Sequence, residues 1–387
     1  MRTKLLSFLI LSSFILSLDL SCRFVSSLFI KDEPAPPSGI IVIFQSGEVI
    51  IERNGKKLKS KPGLILQVND WIHTSSGSID IQTAKGDVIR IKSYSKVALK
   101  NISHPNRRET NLYVQAGELL IKTNKLKTSD AFTISTPTTV AGVRGTAFSF
   151  ELTNGKPPKV KVYEGAVAIT FKIPKEILED SKALDKELYK EFVTFLEKNE
   201  VVLENGEASY VKPDLDHMIQ LVLTRIEKNE DIAKEFESLK KMENLNLEKK
   251  AFVETPQEKA ELETLVQADQ QLVEKALLEE NPDPTQPKIA SISSEIEKDQ
   301  TSRLDLALEK IESDAEANEL KDEKKIREYY NVLEIVVKSD GTKLSGAIVT
   351  QIGNRLILHM PSGVIRLNKD DIDYVDYQTF QIKTKSK

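Results

Sequence analysis

Over the first half of the chain, apolar and polar positions alternate in short runs, and glycine- or asparagine-bearing turns separate them. Ile40–Phe44, Glu48–Glu52, Leu64–Val68, Ser78–Gln82, Val88–Ile91, Val97–Leu99, Leu112–Val114 and Leu119–Lys122 are rich in Ile, Val and Leu. The punctuation is Ser46-Gly47, Asn54-Gly55, Pro62-Gly63, Ser76-Gly77, Lys85-Gly86 and Ala116-Gly117. Strand-like runs this short and this regularly spaced predict an all-β sandwich or short β-roll. Phe132–Thr136, Ala147–Leu152 and Lys159–Ile169 continue the pattern, and Pro137 marks a strand end or edge because it lacks a ladder donor. Trp71 opens an apolar run and is expected in the core.

The period then changes. In the stretch 174–199, Ile177, Leu184, Leu188, Phe192 and Phe195 recur every three or four residues, which predicts a helix inserted before a returning strand at 201–211. Such a helix is expected to lie as a lid with its apolar face on the sheet. From 213 to 330 the chain is charged and helical, with Leu215, Ile219, Val222, Ile226, Phe236 and Leu239 as an imperfect stripe. Thr255-Pro256-Gln257-Glu258 has the form of a capping box opening a helix that runs to about Glu280. The Pro-rich stretch 281–287 breaks the helical region and is an expected proteolysis site, and a second helix is predicted from about Ser293 to Tyr330. Residues 331–387 return to strands with glycine turns and resemble small SH3-like or Sm-like barrels.

Among 387 residues the formal net charge is −4, with an isoelectric point near 5.8 and no evident basic patch, which argues against nucleic acid as the main partner. There is no G-x-S-x-G elbow and no P-loop. His73, His104, His217 and His359 are the only histidines, and none has metal-ligand spacing to other donors. The expectation is therefore a protein that is not an enzyme, with no metal, cofactor or small-molecule substrate. The polar loop 101–110, with Arg107 and Arg108, is expected to be solvated.

Residues 1–21 have the form of a signal peptide: Arg2 and Lys4, then the apolar stretch Leu5–Leu18. Leu18-Asp19-Leu20-Ser21-Cys22 resembles a lipobox in the loose form of spirochaetal lipoproteins. Cys22, the single cysteine, is the expected lipidation site, and 22–38 is a charged, Pro-rich tether. Asp19 and the second apolar run Phe24–Ile30 leave two alternatives open: a signal anchor over Leu5–Ile30, and simple secretion.

Thr136-Pro137 followed by Val143-Arg144-Gly145-Thr146 and Phe148, then Val160, Val162, Gly165 and Val167, resembles the core signature of the FecR domain. That family comprises extracytoplasmic β domains known as sensors that regulate sigma factors. Val68–Ser78, with Asn69 in place of the usual glycine, Gly86–Ile91, Gly117–Leu119 and the closing segment Val201–Val211 extend the resemblance. It implies a mainly β fold, a FecR-like β-sandwich or β-roll over 39–212. Val143, Arg144, Gly145 and Thr146 form the family turn. Arg144 there either caps carbonyls or pairs with a carboxylate inside the fold, or it contacts a partner. The resemblance implies a membrane-anchored envelope lipoprotein, in the outer rather than the inner membrane, whose β domain binds an unidentified envelope protein. The alternative is a regulator of a sigma factor held by an N-terminal signal anchor, although only Met1–Lys4 would then remain inside. A surface adhesin is a third reading with no specific residue behind it.

Overall fold

The computed structural model describes residues 39–377 apart from 102–108, 126–129, 144, 154–157, 173–185, 211, 229, 243–247 and 280–286. The signal segment, Cys22 and the tether therefore lie outside the described residues, as do Arg107, Arg108 and most of the Pro-rich break.

The first strands are β1 (Ile40–Ser46), β2 (Val49–Arg53), β3 (Lys56–Lys59), β4 (Ile65–Leu66), β5 (Trp71–Thr74), β6 (Ser78–Thr83), β7 (Val88–Ile91) and β8 (Lys96–Asn101). They are followed by β9 (Glu109–Lys122), β10 (Ala131–Ser135), β11 (Thr139–Val143), β12 (Ala147–Leu152), β13 (Lys159–Glu164) and β14 (Ala166–Phe171). After the helix α1 (Lys186–Lys198) come β15 (Val201–Glu204) and β16 (Glu207–Tyr210), then α2 (Pro213–Glu227), α3 (Ala233–Lys240) and β17 (Glu248–Ala251).

These strands form one continuous hydrogen-bonded network folded into two layers. The first layer has the order β4-β1-β6-β7-β9-β12-β13-β16-β17. The second has the order β3-β2-β5-β8-β9-β10-β11-β14-β15. Among the described strands only β9 and β10 run parallel. Strand β9 belongs to both layers. Its first half pairs with β8 and β10, and its second half pairs with β7 and β12. The sequence predicts two strands here with a turn at Ala116-Gly117. The structure has one strand that crosses between layers at Gly117, where φ is +112° and a Cβ would lie 2.4 Å from the Ser95 Cα.

Alternating residues from both layers fill the interior, among them Ile51, Ile72 and Leu112 from the second and Ile81, Ile89 and Phe148 from the first. Helices α1, α2 and α3 join this core with Phe192, Leu196, Ile219, Val222 and Phe236. Phe192 and Phe236 meet edge-on at 5.3 Å.

The outer face of the first layer is also covered. Helices α4 (Pro256–Glu263), α5 (Gln270–Leu277) and α6 (Pro287–Glu316) follow β17. Leu265, Val273, Ile292 and Ile296 from this segment bury Ile41, Ile43, Val88 and Leu120. Burial on both faces explains why Ile40–Ile43 is a continuous apolar run rather than an alternating one.

Three expectations for the helical region need correction. The helix expected from Pro256 to about Glu280 is two helices, because Thr264 caps α4 and the Asp269 carboxylate accepts the Gln271 and Leu272 amides to start α5. The helix expected from Ser293 to Tyr330 starts at Pro287 and stops at Glu316. Glu319 then adopts φ +50°, and Asp322 caps a separate helix α7 (Glu323–Tyr330). The stretch 213–330 also contains β17, an edge strand of the first layer. Its sequence Glu-Lys-Lys-Ala lacks apolar alternation because it pairs through its backbone and stays largely exposed. The capping box of Thr255 and Glu258 forms as expected.

The last strands are β18 (Glu334–Lys338), β19 (Lys343–Ile352), β20 (Arg355–Met360), β21 (Gly363–Asn368) and β22 (Ile372–Tyr377), ordered β21-β20-β19-β18-β22. A 3-10 turn at Lys369–Asp371 leads into β22. This sheet packs through Ala347, Val349 and Ile357 on Leu304, Leu308, Ile326 and Tyr330 of α6 and α7.

Candidate functional site

The turn Val143–Thr146 carries the chain from β11 in the second layer to β12 in the first, and Gly165 carries it back between β13 and β14. The two corners pack on each other: a Cβ on Gly165 would lie 2.5 Å from the Gly145 carbonyl oxygen. Gly145 has φ +64°, and a Cβ added there would lie 3.0 Å from the Lys125 Cα, so only glycine fits without strain. Thr146 donates its amide to Thr123 Oγ1 at 2.8 Å and accepts the Thr123 amide at 2.8 Å, which clips the end of β9. Val143 and Thr146 are buried, so neither offers its side chain to a partner. Gly142 is ordinary strand, with nothing within 3.9 Å of an added Cβ. Arg144 lies outside the described residues.

A surface that the sequence did not reveal lies on the outer face of the second layer. Registers Lys57–Glu52–Trp71–Ala98–Tyr113 and Lys59–Ile50–His73–Lys96 run across β3, β2, β5, β8 and β9. Cross-strand partners share a face, so these side chains stand together. Trp71 is half-buried here, not in the core as expected. The inner positions of its strand belong to Ile72, and Trp71 instead meets Tyr113 edge-on at 6.0 Å. The Lys96 and Lys100 ammonium groups sit 5.0 and 5.7 Å from the Trp71 ring centre, and Lys100 is 5.9 Å from that of Tyr113. His73 Nε2 lies 3.4 Å from the Glu52 carboxylate. Sheet register thus brings Lys57 and Lys59 of β3 onto one face with Lys96 and Lys100 of β8. Among the described residues no helix packs extensively on β2, β5 or β8.

Residues 70–168 match the family model described as FecR protein. This stretch is a FecR domain. No curated protein matches the chain. Two crystal structures of a proposed anti-sigma factor from Parabacteroides distasonis ATCC 8503 resemble it weakly. One, at 1.65 Å resolution, shares 13% identity with a TM-score of 0.27 over 37% of this chain and 55% of that one. The other, at 2.50 Å, shares 11% with a TM-score of 0.26 over 36% and 53%. The chain thus spans about half the length of these structures, and likeness at this level carries no argument about function.

The opposite face of the FecR domain is locked by polar contacts to the helices. Lys92 Nζ bridges Glu118 and Glu261 at 2.9 Å each, and Lys161 pairs with Glu258. Burial alone would raise the Glu258 carboxyl, but Lys161 and the Thr255 donors outweigh it and hold it below the ordinary value. Burial similarly pushes the Tyr163 hydroxyl up. A shallow cavity of about 280 Å³ opens between α4, α6, α7 and β19, lined by Lys259, Glu263, Asp314 and Tyr329. Its carboxylates Glu263 and Asp314 are already paired with Lys310. Among the described residues no group of His, Cys, Asp and Glu is placed to hold a metal ion, and no helix is long and apolar enough to cross a membrane.

Proposed function

We propose that the protein is a non-catalytic regulatory module that acts through protein contacts made by its FecR domain. The observation that carries this is the asymmetry of the two layers. The first is covered by α4, α5 and α6, while the second presents Trp71, Tyr113 and several lysines to the outside. In this reading the chain is held at the cell envelope by lipid on Cys22, and the C-terminal strands form a small SH3/Sm-like barrel that extends the assembly. A photo-crosslinking residue at position 113, introduced into the protein in its own cells, tests the protein-contact reading. A discrete protein adduct at 113, and none from the same group at Lys275 on the covered side, is the expected result. Equal labelling at both positions, or none at 113, would overturn it.

The second reading, a FecR-type regulator of a sigma factor on a signal anchor, rests on the apolar run that resumes at Phe24–Ile30. The mass of the mature N-terminal peptide separates the two. An acylated peptide beginning at Cys22 supports lipid anchoring, and an intact Met1 in a detergent-requiring protein supports the anchor.

A further inference from the structure

Resting on the protein-contact reading, we propose that the outer face of the second layer binds an acidic, extended segment of a partner protein. Lys57 and Lys59 on β3 and Lys100 on β8 are exposed, and Lys96 is half-buried beside Trp71. Among the described residues none of these four lysines pairs with a carboxylate, and the one acid in their registers, Glu52, faces His73. The chain as a whole carries a net charge of −4, so this face is positive against the trend of the molecule.

The geometry favours a protein segment over other anionic partners. Trp71 and Tyr113 hold the Lys96 and Lys100 ammonium groups in place, which lowers the rotamer freedom lost when an acid docks. The strands from β3 to β8 span roughly 15 Å, the reach of about four or five residues of extended chain. A lipid surface calls for a protruding apolar anchor, whereas Trp71 is half-buried against its neighbours. Nucleic acid binding leans on arginine and an overall basic domain, and these registers contain no arginine.

Trp71 is the single tryptophan of the chain, so its emission reports on this face alone. The test titrates the full-length protein with a twelve-residue peptide of alternating Glu and Ser, with the same peptide carrying Gln for Glu, and with vesicles of phosphatidylglycerol. The expected result is a saturable change in emission with the Glu peptide that weakens as salt is raised and is absent with the Gln peptide. The double variant Lys96→Glu/Lys100→Glu, checked for an unchanged melting temperature, is expected to bind at least tenfold more weakly, and Glu52→Gln a few-fold more tightly. No response to the Glu peptide up to millimolar concentration, or an equal response to the Gln peptide, would overturn the proposal. Tighter response to the vesicles than to the peptide would also overturn it and make the face a membrane contact. A crosslinked adduct at position 113 without acidic preference would remove this inference and leave the protein-contact reading standing.

Discussion

Arg90 and Asp80 lie on neighbouring strands with the guanidinium Nε and Nη2 each 2.8 Å from an Asp80 oxygen, and both residues are buried. The remaining donors of Arg90 reach Thr264 Oγ1 at 2.7 Å and the Thr264 carbonyl at 3.0 Å, so this pair pins the α4–α5 corner to the FecR domain. Replacing Arg90 with Met leaves the Asp80 carboxylate buried without its partner, and the expected loss is about 3–5 kcal/mol. The double replacement Arg90→Met/Asp80→Leu removes both charges and is expected to cost clearly less. Urea unfolding of the two variants measures the difference. Equal losses would mean that packing, rather than the stranded charge, governs the site.

Gly117 is where β9 changes layers. An alanine there needs φ +112° and places its Cβ against the Ser95 backbone, which cannot move without disturbing β8. The expected loss is at least about 2 kcal/mol. Gly55 is the control: its φ is +74°, but nothing lies within 4 Å of an added Cβ. Gly55→Ala is therefore expected to show only the smaller cost of the backbone conformation. Thermal melts of both variants rank them, and a smaller loss at Gly117 would contradict the crossing geometry.

These two sites show what the sequence could and could not tell. The period-two pattern located most strands of both β regions to within a few residues, because one face of each is apolar and the other is not. It could not show that Gly117 is a crossing within one strand, since a turn and a layer change both ask for glycine. It missed β17, whose pairing is purely backbone, and β3, whose single apolar residue Leu58 gives no pattern. The FecR turn was legible as a motif, and the structure supplies its physical reason at Gly145 and Gly165. The basic–aromatic face was not legible, since Lys57, Lys59, Lys96 and Lys100 are drawn from two separate strands and meet only through register. Trp71 opens an apolar run, which points it to the core, but the strand's phase puts Ile72 there instead.

Helices α1, α2 and α3 share the core of the β layers, and Phe236 of α3 packs there on α1. It is fully buried and meets Phe192 at 5.3 Å and Phe195 at 5.6 Å. Phe236→Ala is expected to cost about 3–5 kcal/mol, the range for emptying a buried aromatic site. Because the same core continues into the β layers, the loss is expected to lower the single melting transition of the FecR domain. A variant that melts α1–α3 separately, with the β signal unchanged, would show that the helices are an independent unit.

Acid sensitivity is expected in the C-terminal sheet. His359 is buried, and its Nδ1 lies 2.9 Å from the Tyr330 hydroxyl of α7. Burial lowers its pKa below the usual 6.5, with Glu316 opposing this in part. The unfolded chain therefore takes up the proton at a higher pH than the folded one. Stability from the neutral ring is fully present above about pH 6.5 and is lost as pH falls through the folded value. Glu334 works with the opposite sign: burial raises its carboxyl, so its burial is favoured as pH falls toward 4.5. The two groups oppose each other wherever both titrate, so substituting His359 alone isolates its share. Wild type is expected to lose stability between pH 7.5 and 5.5, and His359→Leu, although weaker at pH 7.5, is expected to show a flatter dependence. Denaturation midpoints at both pH values, followed by a probe in the C-terminal sheet, measure this. A slope unchanged by the substitution would assign the acid sensitivity to other groups.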